Sequence, residues 1–171
     1  MMNMSKTIEK ITALCPCQSG KSYADCCAPL HFGTRYAQNA EQLMRSRYAA
    51  FVQQNIDYIV RTTVPCQQPL LDKNALRHWA ENTHWLGLQI IDYQPQLTAR
   101  HSAVEFNAVF AAERGTRDHH EKSLFVQIDG CWYFADPTVP LPAMKQPCIC
   151  GSGEKFKHCC GEMLCRFYSN A

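Results

Sequence analysis

The chain has 171 residues, a formal net charge of +2, and hydrophobic residues at 46% of its positions. These values are typical of a folded globular protein and exclude a disordered, collagenous or coiled-coil chain. No apolar run approaches the roughly 18 residues of a membrane span, so we expect no transmembrane helix. No apolar segment precedes Cys15 either, which argues against a secretory signal. We therefore expect a cytoplasmic protein.

The chain contains eleven cysteines, and their distribution is uneven. Four lie within residues 15–27 and five within 148–165, so only Cys66 and Cys131 lie between the two groups. A disulfide framework would distribute its bridges across the core, and a reducing cytoplasm keeps thiols free. Clustered cysteines therefore indicate metal binding. Cys66, Cys131 and Cys165 have no partner at a repeated spacing, and we expect them to be buried or bystander thiols.

The first cysteine group lies in residues 1–32, which we call the N-terminal module. One residue separates Cys15 from Cys17, and eight residues separate Cys17 from the adjacent pair Cys26 and Cys27. Zinc takes four tetrahedral ligands in a closed structural site, and two pairs at this spacing enclose one ion. Gly20 lets the loop bend so that amides point at the sulfurs. Adjacent cysteines are less common ligands, so one of Cys26 and Cys27 remains a candidate spectator.

Residues 33–140 form the predicted middle domain, which opens with three helices. Asn39 is a predicted N-cap, with Gln42 placed for a capping box, for a helix that carries an apolar face of Met44, Tyr48, Phe51 and Val52. A shorter helix is predicted over 56–63 and ended by Pro65. Asp72 is predicted to cap a third helix, whose apolar residues are Leu76, Trp79 and Ala80.

The apolar period then changes from helical to alternating, which indicates strands. The three alternating sets are Leu86, Leu88 and Ile90; Val104, Phe106, Ala108 and Phe110; and Leu124, Val126 and Ile128. Asp129 and Gly130 predict a hairpin turn into a fourth strand over 131–134. Helices followed by antiparallel strands indicate an α+β domain in which a curved sheet wraps the helices.

The second cysteine group lies in residues 141–171, the C-terminal module, and repeats the first spacing at an offset of 133 residues. The eight candidate metal ligands are therefore Cys15, Cys17, Cys26, Cys27, Cys148, Cys150, Cys159 and Cys160. One of Cys159 and Cys160 is again a candidate spectator. A disulfide or redox pair at each end, and an iron–sulfur cluster, remain alternatives to zinc. His158 is a possible substitute ligand that we expect to face solvent.

The segment from Cys150 to Gly161 resembles the SEC-C motif, a zinc-binding element found at the C-terminus of the SecA translocation ATPase. The N-terminal copy departs from the motif, because Gln18 and Ala28 replace glycines. The order of elements resembles the NTF2-like fold, a cone-shaped sheet around helices. The segments 43–51 and 85–88, with SEC-C copies at both ends, resemble the bacterial YchJ-like family. The resemblance implies an NTF2-like cone flanked by two zinc modules, and little about function.

We expect up to two structural zinc ions, which as Zn(Cys)4 centres take the net charge from +2 to about −2. A weakly acidic protein without a run of Lys or Arg is not expected to bind nucleic acid. SEC-C copies in relatives contact proteins such as the SecB chaperone, so the resemblance favours an interaction adaptor over an enzyme. The basic C-terminal module, with Lys145, Lys155, Lys157 and Arg166, is the expected contact surface. The N-terminal module is expected to be mainly structural and to pack on the middle domain.

Two alternatives to the adaptor stay open. One is a hydrolase or isomerase that binds a small molecule in the cone; its candidate residues are Arg45, Arg47, His84 and Asp136. Each has a simpler structural role: the arginines pair with acidic groups or lie on the solvent side of the helix, His84 starts a strand, and Asp136 is a turn residue. The other is a thiol redox-responsive protein. His119, His120 and Glu121 look like ligands, but neighbouring strand residues face opposite ways, so a solvated hairpin is expected there. The sequence does not indicate an oligomeric state.

Overall fold

The computed structural model describes residues 12–168. Within that range it has five α-helices: α1 Ala28–His31, α2 Ala40–Val52, α3 Ile56–Arg61, α4 Lys73–Asn82 and α5 Cys160–Tyr168. Short 3-10 helices span Pro65–Leu70 and Phe156–His158. The strands are β1 Trp85–Gln94, β2 His101–Ala111, β3 Thr116–Ile128 and β4 Cys131–Phe134. No helix in the described range is long and apolar enough to cross a membrane.

Side-chain caps set the starts of the middle-domain helices, as predicted for α2 and α4. The Asn39 side chain accepts from the Gln42 N–H at 2.8 Å, and Asp72 accepts from the Ala75 N–H at 2.9 Å. In a capping box the Gln42 side chain would accept from the N–H of Asn39. Here it accepts from the N–H of Gln38, one residue earlier in the chain. The helix predicted over 56–63 begins as expected but ends at Arg61.

The four described strands form one antiparallel meander in the order β1-β2-β3-β4. Asp129 and Gly130 both have positive φ, 49° and 81°, which is the conformation of a two-residue hairpin turn between β3 and β4. The α+β prediction, with helices first and an antiparallel sheet after them, is therefore confirmed.

One predicted strand face is wrong. Leu86 was expected inside with Leu88 and Ile90, but its exposed fraction is 46%. A register shift between Trp85 and Gly87 changes the phase of β1, so that Trp85 packs against the core in place of Leu86. A β-bulge adds one residue to a strand and thereby exchanges which side chains face the core, an event that strict alternation does not anticipate.

The two faces of the sheet are covered differently. Phe106 and Phe125 lie on the face that packs with α2 and α3 in the main core. Leu124 and Val126, on the other face of β3, are buried in a second cluster with residues of the C-terminal module. The alternating set predicted in β3 is therefore a real buried face, but the C-terminal module covers it instead of the helices.

Candidate metal centres and a central cavity

The N-terminal module brings the sulfurs of Cys15, Cys17, Cys26 and Cys27 within 4.8 Å of one another. The Cys17 and Cys26 sulfurs are 3.5 Å apart, and those of Cys26 and Cys27 are 3.8 Å apart. Three of the four residues are buried and Cys26 is partly exposed. The adjacent pair thus places both sulfurs at the cluster, so its geometry excludes neither cysteine as a ligand.

The C-terminal module repeats this arrangement with Cys148, Cys150, Cys159 and Cys160, whose sulfurs also lie within 4.8 Å of one another. All four residues are buried, and the Cys150 and Cys159 sulfurs are 3.5 Å apart. The local backbone matches as well. The antiparallel bridge between Leu14 and Ser22 in the N-terminal module has its counterpart between Pro147 and Lys155, at the 133-residue offset.

Both clusters fit a tetrahedral zinc ion. With Zn–S bonds of about 2.3 Å, the sulfurs of a tetrahedral site lie about 3.8 Å apart, close to the 3.5 and 3.8 Å separations seen here. All eleven cysteines are free thiols. Four sulfur ligands fill the coordination shell, which is the chemistry of a structural site rather than a catalytic one.

Hydrogen bonds among the thiols distribute the protons unevenly. In the N-terminal module, bonds from Cys15 and Cys27 lower the pKa of Cys17, and the bond to Cys17 raises the pKa of Cys15 to about 12. In the C-terminal module, bonds from Cys148 and Cys160 lower the pKa of Cys150 in the same way. A thiolate that its neighbours stabilise is the form that binds a metal ion.

Polar contacts attach the N-terminal module to the middle domain. The Gln18 side chain donates from Nε2 to the Leu86 carbonyl at 3.3 Å and accepts from the Leu88 N–H at 3.2 Å, as a neighbouring strand would. Gly87 leaves room for it, since a Cβ there would lie 3.1 Å from Gln18 Nε2. Arg45 donates to the Cys17 carbonyl at 2.9 Å and pairs with Glu41 at 3.3 Å. The departure of Gln18 from the motif therefore has a structural role.

A buried histidine continues that attachment. His31 contacts the Tyr23 hydroxyl through Nδ1 at 2.7 Å and the Ser46 carbonyl of α2 through Nε2 at 2.8 Å. Burial lowers the pKa of His31, which favours the neutral ring between these two partners. The imidazole therefore links the module to α2 without introducing a buried charge.

Apolar packing attaches the C-terminal module. Phe156, Met163 and Leu164 share a buried cluster with Leu124 and Val126 of β3. Gly161 lies where a Cβ would be only 2.5 Å from the Phe156 carbonyl oxygen, so a larger residue does not fit. Ala28 is the corresponding residue of the N-terminal module, so the two turns differ here.

Sequence reasoning missed His101. Its Nε2 lies 3.2 Å from the Cys160 sulfur and its Nδ1 contacts the Thr98 hydroxyl at 2.7 Å, so the ring connects β2 to the second cluster. No motif of fixed spacing predicts this contact, because His101 and Cys160 are 59 positions apart in the sequence. Cys66, Cys131 and Cys165 lie outside both clusters, and His158 is solvent-exposed as expected.

The middle domain contains a cavity of about 500 Å³ between the helices and the face of the sheet that carries Phe106 and Phe125. Of the four candidate residues for a site in the cone, Arg47 and Asp136 line it. Arg45 is attached to the N-terminal module instead, and His84 immediately precedes β1, as their structural interpretations predicted. Seven aromatic side chains supply much of the wall: Tyr48, Phe51, Trp79, Trp85, Phe106, Phe125 and Phe134.

Arg47 is buried, with an exposed fraction of 8%, and has no carboxylate within 4.0 Å among the described residues. The sequence had suggested that it pairs with an acid or faces solvent, and both suggestions are wrong. Its Nη1 donates to the Ile59 carbonyl at 2.9 Å and to the Thr62 hydroxyl at 2.7 Å, and the guanidinium lies 4.5 Å from the centre of the Phe134 ring. Burial lowers the pKa of Arg47 to about 10.

The hairpin residues also reach the cavity. His119 Nε2 lies 3.0 Å from Glu121, and the Ser123 hydroxyl donates to the same carboxylate at 2.7 Å. His120 points the other way, to Glu105 at 2.8 Å, so the two histidines do not share a site, as predicted. Because His119 and Glu121 line the cavity, the expected solvated hairpin is wrong on that face.

These three side chains form a fixed polar group in the wall. Burial opposes ionisation of Glu121, but the bonds from His119 and Ser123 outweigh it and lower the carboxyl's pKa. The bond to Glu121 raises the pKa of His119. Ser123 donates to Glu121 rather than to a histidine, so this is not the hydrogen-bonding order of a Ser–His nucleophile.

The fold and the two clusters define an NTF2-like domain flanked by two four-cysteine modules. The family model described as "YchJ, middle NTF2-like domain" matches residues 39–137, and the SEC-C motif matches 12–29 and 144–162. A UPF0225 protein of Actinobacillus succinogenes is 60% identical over 154 residues, which cover 90% of this chain and all of the relative. A UPF0225 protein of Haemophilus influenzae strain PittEE is 56% identical over 161 residues, covering 94% and 100%.

Solved structures of SEC-C motif proteins are similar to this chain as well. A SEC-C motif containing protein from Psychrobacter arcticus superposes with a TM-score of 0.85 at 46% identity, covering 91% of this chain and 98% of that one. Another from Rhodopseudomonas palustris gives 0.66 at 41% identity, covering 71% and 94%. The chain belongs to the YchJ-like UPF0225 family of SEC-C motif proteins.

Proposed function

We propose that each four-cysteine cluster holds one structural zinc ion. The observation that supports this is the convergence of four sulfurs, at separations near those of a tetrahedral site, in both modules. Within the cysteine hairpins, residues 15–27 and 148–160, Tyr23 and Phe156 are the buried large side chains other than cysteine, so the metal supplies much of the folding free energy of each hairpin. The cytoplasm is the proposed compartment, since a reducing environment keeps the cysteines free.

Elemental analysis of protein purified without chelator tests the metal assignment. The expected result is about two zinc ions per chain, falling to about one when Cys150 and Cys159 are both replaced by serine. Iron in place of zinc, with charge-transfer absorbance in the visible range, would indicate an iron–sulfur protein. A metal-free protein that gains disulfides on air oxidation would support the redox alternative.

We further propose that the protein is an interaction adaptor whose C-terminal module contacts an acidic surface of a protein partner. Lys145, Lys155 and Lys157 are exposed and make no ion pair within residues 12–168. Other residues of the module pack on β3, and the exposed lysines are free for an external contact. Arg166 is already paired with Glu162 at 3.0 Å and is a weaker candidate.

Charge reversal tests this surface against the rest of the protein. Lys155→Glu with Lys157→Glu is compared with Lys21→Glu, an exposed lysine of the N-terminal module, in association kinetics with a partner first captured by affinity pull-down. Only the C-terminal double variant is expected to slow association, and its effect should shrink with added salt because exposed charges are screened within about 10 Å at 0.1 M. Zinc content should not change. A rate that is insensitive to reversal and salt would contradict the proposal.

A further inference from the structure

Arg47, in the wall of the middle-domain cavity, is a cation with no carboxylate within 4.0 Å among residues 12–168. Arg47 uses Nη1 for all three of its hydrogen bonds within the described chain: to the Ile59 carbonyl and to the hydroxyls of Thr62 and Thr63. Its Nε and Nη2 have no acceptor among residues 12–168. A buried guanidinium ordinarily pairs with an anion, because an uncompensated buried charge is costly.

The acidic residues of the cavity wall do not fill this role. Glu121 is held by His119 and Ser123, at 3.0 and 2.7 Å. Asp136 uses Oδ1 to accept from the N–H and hydroxyl of Thr138, at 2.8 and 2.6 Å. Asp72 caps α4. Glu121 and Asp136 are close enough to stabilise the charge on Arg47, but neither lies within the 4.0 Å of an ion pair.

The Nε and Nη2 atoms of Arg47 have the geometry that binds a carboxylate. Nε and Nη2 of an arginine lie side by side and donate in parallel, which matches the two oxygens of a carboxylate. The Phe134 ring beneath the guanidinium holds it in place, with 4.5 Å between the guanidinium carbon and the ring centre. The hydrogen bonds from Nη1 to the Ile59 carbonyl and the Thr62 hydroxyl fix the orientation of the guanidinium within its plane.

The aromatic residues in the rest of the cavity wall determine the shape and polarity of the part of the ligand that is not the carboxylate. Trp79 and Trp85 pack edge-on with 5.5 Å between ring centres, and Phe51 packs on Trp79 at 5.0 Å. Such walls favour flat, apolar groups. A volume of about 500 Å³ falls in the range of small-molecule sites.

We propose that this cavity binds a small aromatic monocarboxylate, with its carboxylate on Nε and Nη2 of Arg47 and its ring between the aromatic side chains. The proposal is independent of the metal sites and of the adaptor surface. It requires no chemical step, since the polar group of His119, Glu121 and Ser123 is treated only as part of the wall.

The test is calorimetric titration of the full zinc-loaded chain with three compounds of one shape. These are 2-naphthoate, its neutral amide 2-naphthamide, and the cation 2-naphthylmethylammonium. We expect the carboxylate to bind at least tenfold more tightly than the amide, since a charged pair of hydrogen bonds is lost in the amide. We expect the ammonium compound to bind weakest. Equal binding of acid and amide, tighter binding of the amine, or no saturable binding of the acid at millimolar concentration would each overturn the proposal.

Two variants locate the binding. Arg47→Lys keeps the positive charge but removes the paired Nε and Nη2 donors, and should abolish most of the preference for acid over amide. Arg45→Lys is the matched control on the same helix and should retain that preference. Ala108→Phe fills the cavity from β2 without touching Arg47 and should abolish binding of both compounds. If Arg47→Lys does not fold, the acid-to-amide ratio and Ala108→Phe still decide the question. Undiminished acid binding in Ala108→Phe would place it elsewhere and contradict the proposal.

Discussion

The two modules have the same cysteine hairpin but are attached to the middle domain by different forces. The N-terminal module is attached mainly through polar contacts: Gln18 to the edge of β1, Arg45 to the Cys17 carbonyl, and His31 to the Ser46 carbonyl. Its apolar contribution is smaller, with Leu30 in the main core and Ala28 in a cluster with Ala49 of α2. The C-terminal module is attached through apolar side chains that bury Leu124 and Val126 on the back of the sheet. The repeat therefore determines the metal site, and the residues outside the four cysteines determine what each module contributes to the rest of the protein.

The largest expected difference between the modules comes from disrupting one metal site at a time. Cys148→Ser with Cys160→Ser should destabilise the middle domain more than the matched pair Cys15→Ser with Cys27→Ser. Loss of the C-terminal module uncovers Leu124 and Val126, and burial of each such side chain contributes roughly 1.5–3 kcal/mol. Loss of the N-terminal module removes hydrogen bonds, whose net contribution is about 0.5–1.5 kcal/mol each, withdraws Leu30 from the main core and uncovers only the small side chain of Ala49.

Denaturant unfolding followed by the fluorescence of Trp79, Trp85 and Trp132 measures that difference, because all three tryptophans lie in the middle domain. Zinc content, expected to fall by about one ion per chain in either variant, verifies that each substitution acted on its own site. Equal losses of unfolding free energy in the two variants would contradict the proposed difference in attachment.

A smaller difference is expected at the turn after the last cysteine. Gly161→Ala places a methyl group 2.5 Å from the Phe156 carbonyl oxygen and 2.8 Å from its ring, and should destabilise the C-terminal module by about 1–3 kcal/mol. The matched change in the other module, Ala28→Gly, creates no clash; it has the flexibility cost of about 0.5–1 kcal/mol and loses one buried methyl group, worth about 0.8 kcal/mol. The rate of zinc transfer to a chromophoric chelator compares the two variants, and Gly161→Ala should release zinc faster. Faster release from Ala28→Gly would contradict this expectation.

The smallest expected effect is at Gln18. Its φ of 62° is in the left-handed region that favours glycine, whereas Gly151 fills the corresponding position of the C-terminal module with φ 73°. Gln18→Ala should lose both hydrogen bonds to β1 and keep the strain, for a loss of about 1–2 kcal/mol. Gln18→Gly loses the same bonds but relieves about 1 kcal/mol of strain, so it should be the milder variant.

Hydrogen exchange at the Leu88 amide provides the local measurement, because that N–H donates to Gln18 Oε1 at 3.2 Å. Exchange should be faster in both variants, while global stability separates them. Unchanged protection at Leu88 would show that Gln18 does not hold the edge of β1.

Local signals accounted for most of the middle-domain elements. The caps at Asn39 and Asp72 form as predicted, because a short polar side chain and its own helix are neighbours in sequence. The Asp129–Gly130 turn also follows the prediction, since both residues tolerate positive φ. Leu86 was misplaced because a bulge in β1 depends on pairing with β2, which the sequence of β1 does not record.

The candidate site divides in the same way. The eight cysteines were predicted because a metal hairpin is a local motif with fixed spacing, and the structure brings each set of four together. His101 and the free face of Arg47 were not predicted, because their environments are built by residues distant in sequence. Asp136 was recognised as a turn residue, but its place in the cavity wall was not.

The sequence by itself determined the helices, the strands and the two cysteine hairpins, since each depends on side chains within about ten residues of one another. Only the tertiary structure decided which face of β3 the C-terminal module covers, why Gln18 replaces a glycine, and that the buried Arg47 has no carboxylate within 4.0 Å in the described part of the chain. These properties arise where segments distant in the chain exclude water from the same space. The cost of burying a charge or a polar group there is set by neighbours that no local pattern identifies.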